Sequence, residues 1–288
     1  MLLAFDDELE FAGRLARAAG RPLGRIAAHR FPDGEWRISL PAELPADVAI
    51  LRSLHSPSDR LVQLFIAAGT ARELGADRLS LVAPYLCYMR QDARFTPGEA
   101  VSQRLIGRLL AGQFDKVLTV DPHLHRIDSL DEAIPTGEAI ALSAAPLIGE
   151  FIARQLPDAF FVGPDAESAR WVAAAARACD AQYGVCTKLR RGDRDVEVAL
   201  PKAPVAGRRC VLVDDMASTG NTIAQAARAL LAAECASVDV AVCHVLPGGE
   251  AQALVRAAGV RNFWSTDTIP DASNAIGVAG LLGAALGR

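Results

Sequence analysis

The stretch VLVDDMASTGNTI, Val211 to Ile223, decides the fold that the sequence predicts. Three residues of strand character lead into two adjacent carboxylates, and a turn of small residues then leads into a stretch of helical period. At such a junction backbone N–H groups and hydroxyls converge at the helix N-terminus, where they can hold an anion. The pattern predicts a phosphate site in the turn, with Asp214 and Asp215 accepting hydrogen bonds from a sugar diol or holding a phosphate-bound cation. An ordinary capped turn is the alternative, and the pattern D-D-x-x-S-T-G-x-T is more specific than that alternative requires.

The rest of the chain repeats the same alternation of strands and helices. Short apolar, β-branched runs are separated by Ala/Leu/Arg stretches of helical period, which predicts parallel sheets. At 288 residues the chain is longer than a typical single domain. We therefore expect an α/β fold with two similar lobes, each with a mostly parallel sheet flanked by helices. The predicted domains are residues 1–145 and 146–288, and it stays open whether the last helix packs back on the first lobe.

Composition excludes several classes of function. A net charge of −4 does not imply a basic face for duplex nucleic acid. No stretch approaches the roughly 20 apolar residues of a membrane span, and the acidic start MLLAFDDELEFAG does not resemble an export signal. The six cysteines form no C-x-x-C pair, which favours reduced thiols. The expectation is a cytoplasmic protein that binds neither nucleic acid nor membranes.

Ligands of open α/β sheets bind at the carboxyl ends of the strands, so polar motifs after strands are informative. Besides the opening stretch, five such motifs are FPDGE (31–35), YMRQD (88–92), DPH (121–123), PD (164–165) and TKLRR (187–191). In order and spacing, and over nearly the whole chain, they resemble the ribose-phosphate pyrophosphokinase family, also called phosphoribosyl pyrophosphate synthetases. The resemblance implies tandem phosphoribosyltransferase-like domains.

The resemblance also implies a reaction, in which the pyrophosphoryl group of ATP moves to the 1-hydroxyl of ribose 5-phosphate and AMP leaves. Mg²⁺ is the implied cofactor. The implied ATP-binding residues are Phe31, Asp33, Glu35, Arg90, Gln91, Asp92 and His123. The implied ribose-5-phosphate-binding residues are Asp214, Asp215, Ser218, Thr219, Gly220, Asn221 and Thr222. The implied metal ligands are His123 and Asp165, and the implied catalytic residues are Lys188 and Arg190.

In the family, the segment that FPDGE resembles is a hairpin that reaches the adenine site of a neighbouring subunit. We therefore expect a homo-oligomer, at least a dimer. The stretch RSLHSPSD (52–59) resembles the segment that holds the pyrophosphate being moved.

The chain departs from the family pattern at two places. Asn221 stands where a second glycine is usual, and because asparagine tolerates left-handed backbone geometry we expect the turn to be retained. Ala166, Glu167 and Ser168 follow Asp165 where many members have a glycine pair, which predicts a negative side chain near the metal.

Two other classes of function compete with the kinase. A non-catalytic, synthetase-like regulatory subunit is disfavoured because Lys188, Arg190, His123 and the RQD motif are all present. A phosphoribosyltransferase needs only one lobe and no adenine hairpin, so the chain length and FPDGE argue against it.

Overall fold

The computed structural model describes residues 1–190, 196–201 and 203–287, and at residues 188–190 and 196–198 it describes the backbone alone. The chain divides into two compact units, Met1–Leu142 with Val278–Arg288, and Ser143–Gly277. Each unit contains a sheet of mostly parallel strands with helices between them, so the predicted α/β class with two similar lobes is confirmed. Among the described residues, no helix is both long enough and apolar enough to cross a bilayer.

The first unit is built on a seven-stranded sheet in the order β3-β2-β1-β4-β5-β6-β7. All neighbours are parallel except β2 and β3. The central strands are continuous apolar runs because both faces are covered by other elements. The strands are β1 (Leu2–Phe5), β2 (Leu23–Arg30), β3 (Trp36–Ser39), β4 (Asp47–Leu51), β5 (Arg78–Ala83), β6 (Lys116–Val120) and β7 (Glu138–Leu142). The helices that connect them are α1 (Leu9–Ala19), α2 (Pro57–Glu73) and α3 (Ser102–Ala111).

The hairpin of β2 and β3 extends beyond the rest of the first sheet. β2 pairs with β1 only over Leu23 to Ile26, and it pairs with β3 over Ala27 to Arg30. The second half of β2 therefore has β3 as its only ladder partner among the described strands. Since β2 is parallel to β1, the hairpin tip lies past the carboxyl-terminal edge of the sheet, where sites of this fold class are found.

The second unit has a fully parallel sheet in the order β15-β14-β13-β12-β8-β9 and a separate antiparallel pair, β10 and β11. Its core is formed by apolar side chains of the sheet and of the helix after β12. The strands are β8 (Phe160–Gly163), β9 (Tyr183–Val185), β10 (Thr187–Arg190), β11 (Val196–Ala199), β12 (Arg209–Ala217), β13 (Ser237–Val245), β14 (Phe263–Thr266) and β15 (Asn274–Ile276). The helices are α4 (Ala145–Gln155), α5 (Ala169–Ala178), α6 (Asn221–Ala232) and α7 (Glu250–Ala257).

The last helix, α8 (Ala279–Leu286), belongs to the first unit. It approaches α1 so closely that a Cβ on Gly283 would lie 2.5 Å from the Cβ of Ala18. Lys116 Nζ donates to the carbonyl of Ala285 at 3.3 Å, and Lys116 is itself buried and paired with Glu138 at 3.0 Å. Glycine at position 283 and the buried lysine together hold the end of the chain on the first sheet.

Candidate active site

The two adjacent carboxylates lie inside β12, because this strand continues to Ala217 instead of ending at Val213 as the pattern suggested. Asp215 is buried and Asp214 is half-buried. The backbone N–H of Asp215 donates to Asp214 Oδ1 at 2.9 Å.

Asp214 lies in a region of negative charge. Its pKa is raised well above the usual value, first because burial disfavours the charged form and then because Asp215 and Asp165 are close. Asp165 follows β8, which pairs with β12 in parallel, so the two strand ends bring these carboxylates together. We call Asp165, Asp214 and Asp215 the Asp214 cluster.

The turn after β12 forms a helix N-terminus, as the sequence predicted. Gly220 is the N-cap residue of α6 and has φ +78°, a conformation that favours glycine. Its hydrogen faces α7, where a Cβ would lie 2.9 Å from the carbonyl oxygen of Ala251. Asn221 is the first residue of α6 and donates through Nδ2 to Thr219 Oγ1 at 3.2 Å. The left-handed position of the turn is therefore Gly220, and Asn221 replaces a glycine at a site where positive φ is not needed.

The predicted phosphate ligands are accessible to different degrees. Thr219 and Asn221 are exposed, and Ser218 and Thr222 are half-buried. An anion in this turn can therefore reach hydroxyl groups as well as the backbone N–H groups of the first turn of α6.

Asp165 caps a short 3₁₀ turn that the sequence pattern did not predict. Its Oδ1 accepts from the backbone N–H of Glu167 at 3.2 Å, and the hydroxyl of Ser168 donates to the Asp165 carbonyl at 2.6 Å. Ser168 is fully buried and packs against Gly163, where a side chain would collide with the Ser168 hydroxyl. Glu167 is exposed. The departure after Asp165 thus forms a turn that holds this carboxylate at the end of β8.

In the first unit, the RQD motif follows β5. Arg90 is exposed, Gln91 Nε2 donates to the Ala93 carbonyl at 3.2 Å, and Asp92 is buried. Arg126 Nη1 lies 3.7 Å from Asp92 Oδ1. Asp92 lines a cavity of about 560 Å³ whose other charged lining residues are Arg94, Arg104, Arg108 and Arg126. This cavity carries four guanidinium groups and one carboxylate, so it favours anions.

His123 follows β6 and contacts a second histidine. Its Nδ1 lies 3.1 Å from His125 Nε2, and the two ring centroids are 3.8 Å apart. One of these nitrogens donates to the other, which leaves His123 Nε2 as the ring atom directed away from His125. The structure therefore brings His125 into direct contact with His123.

The tip of the β2–β3 hairpin presents an aromatic ring. The turn is closed by hydrogen bonds from Phe31 N to the Glu35 carbonyl at 2.8 Å and from Gly34 N to the Phe31 carbonyl at 2.9 Å. Phe31 is 39% exposed and is contacted edge-on by the His29 ring, with centroids 5.1 Å apart. Asp33 and Glu35 are exposed, and Asp33 Oδ1 accepts from Glu35 N at 3.1 Å.

Within the first sheet, the hairpin is remote from the other predicted ATP residues. β2 is separated from β6 by β1, β4 and β5. Four strand spacings correspond to about 19 Å. Phe31 and His123 are thus held at well separated positions along the same edge of the sheet.

Lys188 and Arg190 belong to β10, but their side chains lie outside what the structure describes. Sequence reasoning missed Arg104, Arg108 and Arg126, which surround Asp92. The available signal was the spacing of four between Arg104 and Arg108, which places both on one face of α3.

The comparisons with known proteins cover both units. The family model for the N-terminal domain of ribose phosphate pyrophosphokinase matches residues 1–112, and the model for the phosphoribosyl transferase domain matches residues 132–270. The solved structure of phosphoribosylpyrophosphate synthetase from Mycobacterium smegmatis superimposes with a TM-score of 0.85 at 24% identity, covering 99% of this chain and 97% of that one. At that identity the superposition supports the fold.

Curated relatives align over almost their full length. The chain is 34% identical to a ribose-phosphate pyrophosphokinase of Methanopyrus kandleri over 282 residues, which are 97% of this chain and 96% of the relative. It is also 34% identical to a ribose-phosphate pyrophosphokinase of Halobacterium salinarum over 291 residues, covering 99% and 100% of the two chains. The protein is therefore a member of the ribose-phosphate pyrophosphokinase family.

Proposed function

We propose that this protein is a ribose-phosphate diphosphokinase, which transfers the pyrophosphoryl group of ATP to the 1-hydroxyl of ribose 5-phosphate and releases AMP. The observation that carries the proposal is the full-length similarity to curated relatives of that name. A similarity confined to the second unit would have left a phosphoribosyltransferase equally plausible, because that fold carries several activities.

The second unit supports the sugar phosphate half of the proposal. The 5-phosphate would occupy the turn of residues 218–222, where the N-terminus of α6 favours an anion. The half-buried carboxylate of Asp214 would accept hydrogen bonds from the ribose hydroxyls. Such bonds to a charged acceptor are stronger than those between neutral groups, so Asp214 fixes the orientation of the sugar.

The first unit supports the nucleotide half. The four arginines around Asp92 provide positive charge near a strand end, which suits the polyphosphate of ATP. Arg90 and Gln91 precede this cavity, and Arg90 is exposed. The base would stack on Phe31, whose ring is held by His29.

Mg²⁺ is the proposed metal, and the donor set at Asp165 fits it. The Asp214 cluster offers carboxylate oxygens, the ligands that Mg²⁺ prefers. The pKa of Asp214 is raised first by burial and then by the nearby carboxylates of Asp215 and Asp165, and a divalent cation would relieve the second effect. Asp165 and His123 are the metal ligands that the family resemblance implies, and we keep both in the proposal. Bound Mg²⁺ would neutralise charge on the phosphoryl oxygens.

The residues assigned to catalysis by resemblance remain part of the proposal. Lys188 and Arg190 would supply positive charge to the phosphoryl oxygens as charge develops on them in the transition state. Lys188→Ala or Arg190→Ala should lower kcat by roughly 100-fold with a smaller change in either KM.

The activity is tested by release of AMP from ATP in the presence and absence of ribose 5-phosphate. The proposed enzyme releases AMP only when both substrates and Mg²⁺ are present. A phosphoribosyltransferase would instead release pyrophosphate from phosphoribosyl pyrophosphate when given a base. A regulatory subunit would bind partners and release neither product, so the three outcomes are distinct.

A shared active site is the second part of the proposal. The position of the hairpin, about 19 Å along the sheet from β6, supports the idea that Phe31 serves the site of a neighbouring subunit in a homo-oligomer of at least two chains. Mixing a Phe31→Ala chain with a Lys188→Ala chain should then form some sites with neither lesion, and activity should partly return. If the subunits exchange and the mixture shows only the sum of the two residual activities, the hairpin serves its own chain.

The cysteines support a reducing compartment. None of the six, all of which lie among the described residues, forms a disulfide. Disulfides form and persist in oxidising compartments and are rare in the cytoplasm, so we place the enzyme there.

A further inference from the structure

We propose that Thr268, His244 and Gln252 are positioning residues that hold the sugar phosphate turn, residues 217–222, in its binding geometry. None of the three is expected to touch a substrate. The inference rests on the proposed function, since it assigns ribose 5-phosphate as the ligand of the turn. It concerns the segment after β14, residues 267–274, which the sequence reasoning did not connect with the site.

The turn is fixed from outside at two points. At its start, the backbone N–H of Leu246 donates to the Ala217 carbonyl at 3.0 Å, so the end of β13 sets where the turn begins. In its middle, Gly220 packs against Ala251 in the first turn of α7 at a distance that leaves no room for a Cβ. The position of the turn therefore depends on the positions of the end of β13 and the start of α7.

The connection between β13 and α7 does not fix either element by itself. It runs through Pro247, Gly248 and Gly249, and the two glycines have φ values of +138° and +72°. Two glycines in succession leave the backbone with large conformational freedom. Among the described residues, no side chain forms a capping hydrogen bond at the N-terminus of α7, which begins at Glu250. Its position must come from contacts elsewhere.

Those contacts come from residues 267–274. His244 is buried near the end of β13, and its Nδ1 lies 2.8 Å from Thr268 Oγ1. Gln252 in the first turn of α7 donates through Nε2 to Asp271 Oδ1 at 2.6 Å. One segment is thus hydrogen-bonded to both elements that hold the turn.

The segment is itself well fixed. Thr268 Oγ1 lies 3.2 Å from the Cys243 carbonyl, and the hydroxyl of Thr266 donates to the same carbonyl at 2.7 Å. Asp271 Oδ1 also accepts from the backbone N–H of Ser273 at 2.8 Å and from its hydroxyl at 2.6 Å. A buried and closed network of this kind loses its geometry when one hydroxyl is removed, because the remaining partners are left unsatisfied.

The test uses three variants and a control. Thr268→Val removes the hydroxyl with little change of shape, and Thr268→Ser keeps it. Gln252→Leu removes the second link at a half-buried position, where misfolding is not expected. Thr70→Val is the matched control, because within the described part of the chain the Thr70 hydroxyl donates only to the carbonyl of Ile66 in its own helix in the first unit.

The first measurement is hydrogen exchange of the substrate-free protein. Thr268→Val and Gln252→Leu should speed exchange in peptides covering residues 217–222, whereas Thr268→Ser and Thr70→Val should match the wild type. Faster exchange throughout the second sheet would indicate general loss of stability and would overturn the inference. Unchanged exchange in the turn would overturn it as well.

The second measurement is steady-state kinetics of AMP release. Thr268→Val should raise KM for ribose 5-phosphate about tenfold, the factor that corresponds to one lost hydrogen bond of this kind, and leave KM for ATP within about twofold. An equal rise in both KM values, or a Thr268→Ser variant that behaves like Thr268→Val, contradicts the inference. If the wild type releases no AMP, the proposed function fails, and the exchange experiment alone decides whether the segment holds the turn.

Discussion

The carboxyl-terminal edges of the two sheets both carry clusters of charged residues. The clusters differ in whether arginine side chains neutralise the negative charge of the carboxylates. In the first unit, Arg52 follows β4 and lies beside Asp7 and Glu8, which follow β1. Arg52 Nη1 is 2.6 Å from Asp7 Oδ1 and 3.0 Å from Glu8 Oε2, and Nη2 donates to Gln63. Arg60 adds a second cation, 2.7 Å from Asp7 Oδ2. We call these five residues the Arg52 cluster.

In the Asp214 cluster, no arginine or lysine is among the main causes of the shift in the pKa of Asp214. Burial and two neighbouring carboxylates all raise the pKa of Asp214. In the Arg52 cluster, burial also works to raise the pKa of Asp7, but Arg52 and Arg60 outweigh it, and the pKa lies below its usual value. The carboxylates of the first cluster are thus paired with two arginines of the chain, although at the nearly fully buried Glu8 burial outweighs these partners and raises the pKa. The second cluster has no arginine among the main causes of its pKa shift and would gain stability from a cation or from hydroxyl donors of a ligand.

The comparison teaches where to look for function on this fold. Both edges are at positions where ligands of open α/β sheets bind. A buried charge that is already paired contributes to structure, and removing its partner destabilises the protein. Carboxylates held close to one another raise each other's pKa, and such perturbed groups are concentrated at functional sites.

The largest expected effect is on stability in the Arg52 cluster. Arg52→Met should lower the free energy of unfolding by about 3 to 5 kcal/mol, because Glu8 is left buried without its main partner. Urea denaturation measures this change. The double variant Arg52→Met with Glu8→Gln should recover part of the loss, since no buried charge is then left unpaired. A double variant that is as unstable as the sum of the single variants would contradict the pairing.

The next largest effect is on ligand binding in the Asp214 cluster. Asp214→Asn and Thr219→Ala should weaken ribose 5-phosphate binding by roughly 10-fold to 100-fold, the range for a lost hydrogen bond to a charged acceptor. ATP binding should change little, because its proposed contacts lie on other segments. Calorimetric titration with each ligand separates the two. Equal weakening of both would show that the site assignment is wrong.

A smaller effect distinguishes the clusters by pH. The pKa of Asp7 is lower in the folded protein than in the unfolded chain, so its ion pairs stabilise the fold above about pH 4 and this contribution is lost as the pH falls through the folded pKa. Asp7→Asn should cost about 1 kcal/mol at pH 7, a modest value because Asp7 is half exposed. Once the pH is below the folded pKa of Asp7, the variant and the wild type should have equal stability. A difference that persists in acid would assign the effect to packing.

The smallest effect has the opposite sign. Because the pKa of Asp214 is raised in the folded protein, its ionised form opposes folding at pH 7. This cost decreases as the pH falls below the folded pKa and is gone below the unfolded pKa of about 4. Asp214→Asn should therefore raise the melting temperature of the substrate-free protein by about 2 °C, although it impairs binding. Scanning calorimetry at pH 7 measures the shift. A lower melting temperature would mean that the ionised carboxylate stabilises the fold and that the two clusters are alike.

The sequence predicted some elements and missed others for local reasons. The runs KVLTV (116–120) and SQRLIGRLLAG (102–112) have hydrophobic periods that predict a strand and a helix, and β6 and α3 are found there. β1 and α1 were not predicted, since Asp6, Asp7 and Glu8 interrupt the apolar run. In the structure these three acids form a 3₁₀ turn, and Glu8 is buried because Arg52, 44 residues away, lies against it.

α4 was also missed. The stretch around Pro146, where the sequence analysis placed the change of domain, is the first turn of this helix. Gly149 lets this helix approach the backbone of Ala175 in α5, where a side chain would collide with the Ala175 carbonyl. Proline and glycine are also typical of loops. In a sequence, a proline in the first turn of a helix and a glycine at a helix contact therefore cannot be told from loop residues, and only the tertiary contact distinguishes the two cases.

The sequence by itself determined the local chemistry of this protein. The order strand, paired carboxylates, small-residue turn and helix is encoded within 13 consecutive residues, Val211 to Ile223, so a turn leading into a helix N-terminus could be predicted without knowing any neighbour. The tertiary structure alone decided which distant groups meet: Asp165 with Asp214, Glu8 with Arg52, and Thr268 with His244. The physical reason is that these contacts depend on the order of the strands in a sheet. Strand order is set by burial and pairing over the whole chain, and the period of any single stretch does not contain it.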